Sequence, residues 1–168
     1  MIDRATIHRG LEEFGAQGDW SSHMGGHMVR LFEEVMASEP TLIVELGIGW
    51  GSSSHALGTS AGLCGAEMIG VDLNPCPRLH NRVRFVQSDD LEYAKAWTRG
   101  PIIDVLMIDT NHTYDQTENE VRAWLPHLRP RCKIMFHDTN AQPHFEAVAR
   151  YLRDWLAIPF PEGEAFEV

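Results

Sequence analysis

Five short runs of apolar residues recur between residues 41 and 136: Thr41–Leu46, Glu67–Val71, Val83–Gln87, Ile102–Ile108 and Cys132–Phe136. Such runs suit strands buried on both faces, as in a parallel sheet. Helical spacing fills the intervals. Met28, Leu31, Phe32, Val35 and Met36 fall at i, i+3, i+4, i+7 and i+8, the stripe of a helix that Pro40 ends. Ile7, Leu11 and Phe14 mark an earlier helix, interrupted at Gly15–Asp19. Between the fourth and fifth runs, Thr113 and Gln116 make a T-x-x-Q capping box. Val121, Trp124, Leu125 and Leu128 follow at helical spacing, with Pro126 at the exit. A last helix carries Phe145, Val148, Ala149, Leu152, Trp155 and Leu156 on one face. Strand and helix alternate, which predicts a doubly wound α/β fold with a mostly parallel sheet. Ile158–Phe160 and Ala165–Val168, joined across Pro161–Glu164, read as a C-terminal β-hairpin that brings the sheet to six or seven strands.

The 168 residues suit a single domain. Within it, residues 1–40 read as a helical cap that builds the substrate region, and 41–168 as a ligand-binding core. At 43% hydrophobic and 23% charged, the composition is that of a soluble globular protein. No run approaches the roughly 18 apolar residues of a membrane span, and residues 1–9 lack the apolar segment of a signal peptide. Cys64, Cys76 and Cys132 form no C-x-x-C pair and read as reduced thiols, so the expected location is cytoplasmic. A net charge of −10 with only two lysines, Lys95 and Lys133, repels phosphate backbones and argues against nucleic acid as a partner.

In open α/β sheets, ligands bind at the carboxyl ends of the strands. The first strand ends in Val44-Glu45-Leu46-Gly47-Ile48-Gly49-Trp50-Gly51, followed by Ser52-Ser53-Ser54. This is a strand, a tight glycine turn and a helix start, where bare backbone and unpaired N–H groups approach a ligand. The dinucleotide fingerprint G-x-G-x-x-G wants glycine at position 52, where this chain has serine. The second strand ends in Asp72, 21 residues past Gly51, where nucleotide-type folds place an acid on the ribose hydroxyls. A turn or cap aspartate before Asn74-Pro75 is the structural alternative. After the third strand, Asp89 or Asp90 either accepts an adenine N–H or caps a helix. The fourth strand ends in Asp109-Thr110-Asn111-His112 and the fifth in His137-Asp138. Asp109, His137 and Asp138 offer oxygen and nitrogen ligands from two strand ends. Carboxylates suit Mg²⁺ or Mn²⁺, and the imidazole shifts the preference toward transition metals.

Together, Val44–Ser54, Ile69–Pro75, Val83–Asp90, Ile103–Val121 and Trp124–Asn140 resemble the motifs of class I S-adenosylmethionine (SAM) dependent methyltransferases. The pattern is most similar to methyltransferase family 24, near the catechol-type and macrolide-sugar O-methyltransferases and the cephalosporin-hydroxylase-like proteins. The resemblance spans roughly Leu42 to Leu156. It implies a Rossmann-like fold with Glu45, Gly47, Gly49, Gly51 and Ser52 around the methionine part of SAM, Asp72 and Leu73 at the ribose, and Asp89 at the adenine. It further implies a divalent cation on Asp109, His137 and Asp138, with His112 as general base and Asp109 also facing the cofactor. Clearly metal-dependent relatives carry an acid where this chain has His137. The implied reaction is O-methylation of a small-molecule hydroxyl, on a sugar, a phenol or a natural-product intermediate.

Other readings stay open on the same residues: an inactive SAM-binding protein, a nucleotide-dependent oxidoreductase, and a metal-dependent hydroxylase or hydrolase. The stretch Trp20–His27, with two histidines, is an expected cover for the cofactor or an ordinary interhelical loop. The short C-terminal region leaves sheet or helix surface for a homodimer.

Overall fold

The computed structural model describes residues 3–17, 24–139, 150–152, 154 and 164–167. Strands β1 (Leu42–Leu46), β2 (Glu67–Asp72), β3 (Val83–Gln87), β4 (Ile103–Ile108), β5 (Leu128–Phe136) and β6 (Glu164–Glu167) form one sheet. Their order is β3-β2-β1-β4-β5-β6, and every pairing is parallel. The order reverses between β1 and β4, the switch point at which such sheets open a crevice.

Four strands match their apolar runs to within a residue, and β5 begins earlier, at Leu128. Arg129, Pro130 and Arg131 hide that start, and the pairing shifts register between Ile103↔Leu128 and Val105↔Lys133. β6 lies parallel to β5, with Ala165 opposite Ile134. The hairpin partner expected at 158–160 falls outside the described residues. Of the expected last helix, 150–152 and 154 are helical, with Tyr151 and Leu152 buried.

Period-two alternation divides the sheet's side chains between two helical layers. Ile43, Met68, Val105, Met107 and Met135 face α1 (Arg4–Gly15), α2 (Met28–Ser38) and α3 (Ser52–Cys64). Val44, Leu46, Val71, Leu106, Ile108 and Phe136 face α4 (Asp90–Lys95) and α5 (Tyr114–Trp124). The stripe of α2 therefore closes a core layer: Leu31, Phe32 and Val35 are fully buried against the sheet. Phe32 and Trp124 are the largest buried side chains of their layers. Truncating either to Ala is expected to cost about 3–5 kcal/mol.

The same alternation aims the strand ends. Ile108 pairs with Phe136. The next residue of each strand, Asp109 and His137, turns to the α2–α3 side, so the two stand next to one another.

Candidate active site

The glycine turn is built for close approach. Gly47 has φ +78°, and a Cβ there would lie 2.0 Å from the carbonyl oxygen of Asp109. Only glycine lets the ends of β1 and β4 meet this closely. Gly49 has φ +53°, and nothing lies within 4 Å of where its Cβ would be. Its bare backbone faces an open cleft. Asp72 holds the turn from β2. Its Oδ2 accepts the N–H of Ile48 at 2.8 Å and of Gly49 at 3.0 Å, and its Oδ1 accepts the N–H of Asn74 at 2.8 Å.

Glu45 lies beneath the turn. It follows Ile43 on the α3 side of β1 and is fully buried. The hydroxyls of Ser53 and Ser54 donate to its two carboxyl oxygens. Burial, with the nearby charges of Asp109 and Asp72, pushes its pKa up to about 8 against those two hydrogen bonds. Glu45 thus fastens the first turn of α3 to β1 and lines neither cleft.

Two cavities open at the carboxyl ends of the strands, and they share Gly49 and Asp109. The larger, of about 450 Å³, is walled by Gly47, Asp72, Leu73, Asp89 and Asn111. Leu73 is 62% exposed there, an apolar face beside the ribose-type acid. Asp89 caps α4 as well, its Oδ1 accepting the N–H groups of Leu91 at 2.9 Å and Glu92 at 3.0 Å. The smaller cavity, of about 310 Å³, runs from Ser52 and Trp50 to Asp109, His112, His137 and Asp138.

Those last four residues offer ligand atoms within 4.8 Å of one another. His112 Nε2 is 2.8 Å from Asp138 Oδ2 and 3.5 Å from Asp109 Oδ1. His137 Nδ1 is 3.2 Å from both Asp109 Oδ1 and Asp138 Oδ2. Asp138 adopts a left-handed backbone, φ 55°, which swings its carboxylate back toward His112. Burial works against protonated imidazole, but Asp109 and Asp138 outweigh it and raise His112 to about 9 and His137 to about 10. In turn the two carboxylates are held below their ordinary range, against burial, by the two histidines beside them.

The donor set fits a divalent cation. His137 Nδ1 is buried and, though close to both carboxylates, is in line for a hydrogen bond with neither. Two imidazole nitrogens and two carboxylate oxygens gathered within 4.8 Å of one another describe a coordination shell. Two carboxylates are neutralised equally well by two imidazolium protons or by one divalent ion, so a cation and protons compete here. Two nitrogens with two oxygens favour Mn²⁺ or another transition metal over Mg²⁺.

Of the residues expected from the sequence, all but Glu45 meet around the clefts or, for Gly51, cap α3. His27, from the expected cover, stands edge-on to His137 with ring centroids 6.0 Å apart, and burial with His137 keeps its pKa low. Residues 20–23 of that cover lie outside the described residues. Sequence reasoning passed over Trp50 and Glu120. A large apolar residue inside a glycine turn was a readable signal for the first. Glu120 had none: it is buried on α5, accepts hydrogen bonds from Thr110 and from Gln116 Nε2 at 2.8 Å, and is pushed to about 8 by burial and by Asp90. Gln116 thereby serves Glu120, and the capping box keeps only its Thr113 half, with Thr113 Oγ1 accepting the Gln116 N–H at 3.3 Å.

A family model described as a methyltransferase domain, of the family 24 type, matches residues 44–139. An uncharacterized protein of Sinorhizobium fredii, y4gI, is 28% identical over 151 residues, covering 74% of this chain. The chain spans only 16% of that relative's length. Among solved structures, the fold is similar to the SAH-bound (S-adenosylhomocysteine-bound) Podospora anserina methyltransferase PaMTH1, with a TM-score of 0.70 at 15% identity over 95% of this chain and 81% of that one. It is also similar to the MycE methyltransferase of the mycinamycin biosynthetic pathway, in complex with Mg and SAH. There the TM-score is 0.60 at 18% identity, covering 89% of this chain and 47% of that one. At these identities the likeness is one of fold. No helix among the described residues is long and apolar enough to cross a membrane.

Proposed function

The chain belongs to the methyltransferase domain family, and from that premise we propose that it transfers the methyl group of SAM to a hydroxyl oxygen of a small molecule. One observation carries this reading: the cleft walled by Asp72, Leu73 and Asp89 meets the cavity of the carboxylate–imidazole cluster at Gly49 and Asp109. A nucleoside in the first cleft delivers its sulfonium to the mouth of the second.

The transfer is an in-line displacement. An oxygen lone pair attacks the methyl carbon, the carbon–sulfur bond breaks, and sulfur leaves as a neutral thioether. A protonated alcohol is a poor nucleophile, so the residues at hand must orient the hydroxyl and take its proton. Asp109 and His112 line the cavity where the hydroxyl would sit. In its neutral form His112 takes the proton, and Asp138, 2.8 Å from Nε2, stabilises the imidazolium that forms. Asp109, His137 and Asp138 would hold a divalent cation, which lowers the pKa of an acceptor hydroxyl and withdraws the negative charge that keeps a proton on His112. The acidic surface and small cavities suit a free small molecule as acceptor.

The reading is tested by incubating the protein with methyl-labelled SAM, Mn²⁺ and hydroxylated acceptors, phenolic and sugar. SAH formed together with an O-methylated product supports it. A protein that binds SAM yet forms no methyl ether with any acceptor contradicts it.

A further inference from the structure

Trp50 sits at the crest of the glycine turn, between Gly49 and Gly51, and is 55% exposed. A tryptophan buries some 150–250 Å² when it packs, worth several kcal/mol at about 25 cal/mol per Å². Trp50 forgoes that gain: it joins neither core cluster and has no aromatic partner among the described residues. Among the described residues, the packing of the fold supplies no reason for it. Trp50 instead lines the smaller cavity.

The other walls explain the choice. Met24 and Ile48 are apolar, Gly49, Ser52 and Ser53 come from the turn and the start of α3, and Asp109, His112, His137 and Asp138 gather the reactive groups. The cavity is thus lined mainly by apolar surface beside one cluster of reactive groups. At about 310 Å³ it takes a single ring with small substituents. An aromatic side chain beside a polar cluster recognises a flat or chair-shaped ring, whose face lies on the indole while an edge hydroxyl meets the cluster. An open-chain alcohol offers no such face.

Building on the methyltransferase reading, we propose that Trp50 is the acceptor platform and that the acceptor is a hydroxyl-bearing six-membered ring, aryl or pyranose. Ring stacking on Trp50 sets which hydroxyl reaches Asp109 and His112. Trp50 is then a specificity-determining residue that contributes to acceptor binding and nothing to cofactor binding.

The test uses the full chain loaded with SAH and Mn²⁺, in wild-type, Trp50→Ala and Trp50→Phe forms. SAH affinity is measured by calorimetry. Binding of catechol, methyl rhamnopyranoside and the open-chain polyol erythritol is followed by saturation-transfer NMR. The expected result is binding of at least one ring probe by wild type, roughly tenfold weaker in Trp50→Ala and largely kept in Trp50→Phe. Erythritol binds poorly throughout, and SAH affinity is the same in all three proteins. Catechol against the rhamnoside separates the aryl from the pyranose source. Three outcomes overturn the proposal: ring binding unchanged in Trp50→Ala, SAH affinity lost in that variant, or no ring probe bound by SAH-loaded wild type. Failure of wild type to bind SAH at all is distinct from these and removes the methyltransferase reading itself, and the platform with it.

Discussion

Asp72 Oδ2 accepts the backbone N–H of Ile48 at 2.8 Å, so the acid at the end of β2 holds the glycine turn of β1 before any ligand arrives. The turn is pre-shaped by the residue that the nucleotide-type fold assigns to the ribose. Asp72→Asn replaces an acceptor oxygen with a donor and is expected to destabilise the turn by about 1–3 kcal/mol. Hydrogen exchange at Ile48 and Gly49 in the ligand-free variant checks this. Both amides should exchange faster than in wild type, and unchanged protection would show that the turn holds itself.

His112 lines the smaller cavity from the loop after β4, and under the proposed mechanism its removal should separate catalysis from cofactor binding. His112→Ala is expected to lower turnover about 10²–10⁴-fold, the usual contribution of a positioned base. SAH affinity should stay at the wild-type value. If the variant stops binding SAH, His112 belongs to the cofactor site and not to the acceptor.

On the proposed reading, the converging donors of Asp109, His137 and Asp138 make activity dependent on a cation. Chelation by EDTA is expected to abolish turnover, with Mn²⁺ restoring it at lower concentration than Mg²⁺. Calorimetric Mn²⁺ binding should be lost in Asp138→Asn. Full activity in EDTA would remove the cation from the account.

Two buried glutamic acids tie stability to pH. Glu45 and Glu120 are both pushed up to about 8 in the folded protein, chiefly by burial. In the unfolded chain a glutamic acid ionises near pH ~4.3. Between these limits the unfolded state binds fewer protons, so folding stability falls as pH rises from about 4.3 to 8 and levels off beyond. Glu45→Gln keeps hydrogen-bonding partners for Ser53 and Ser54 and removes the titration. The variant should melt at the same temperature as wild type near pH 4 and several degrees higher at pH 8, by thermal denaturation. Parallel melting curves at both pH values would show that Glu45 is ionised in the folded state.

Much of the core was legible because burial on both faces writes itself as unbroken apolar runs. Ile43, Val44 and Leu46, or Val105 to Ile108, admit few other readings. The start of β5 was hidden because Arg129 and Arg131 are exposed and interrupt its run. The stripe of α2 was clear, but periodicity cannot say what a stripe packs against, and α2 proved to close a core layer. Asp109 and His137 could be named as strand-end residues from order alone. Their contact needed the register that sets Ile108 beside Phe136. Glu45 shows the limit of transferring a motif: its spacing before Gly47 was readable, whereas its burial against Ser53 and Ser54 depends on which face of β1 meets α3.

The central claim is that the glycine turn and the acid-lined cleft beside it hold a SAM-type cofactor. Calorimetric titration of SAH, and separately of NAD, into wild type and Gly49→Val tests it most directly. Gly49 has open space beside it and a φ of +53°, so valine there spares the core but both obstructs the ligand and strains the turn that holds it. Saturable one-to-one SAH binding by wild type, sharply weakened in Gly49→Val and absent for NAD, is the expected result. Binding of NAD in place of SAH, or equal SAH affinity in the two proteins, would contradict the account.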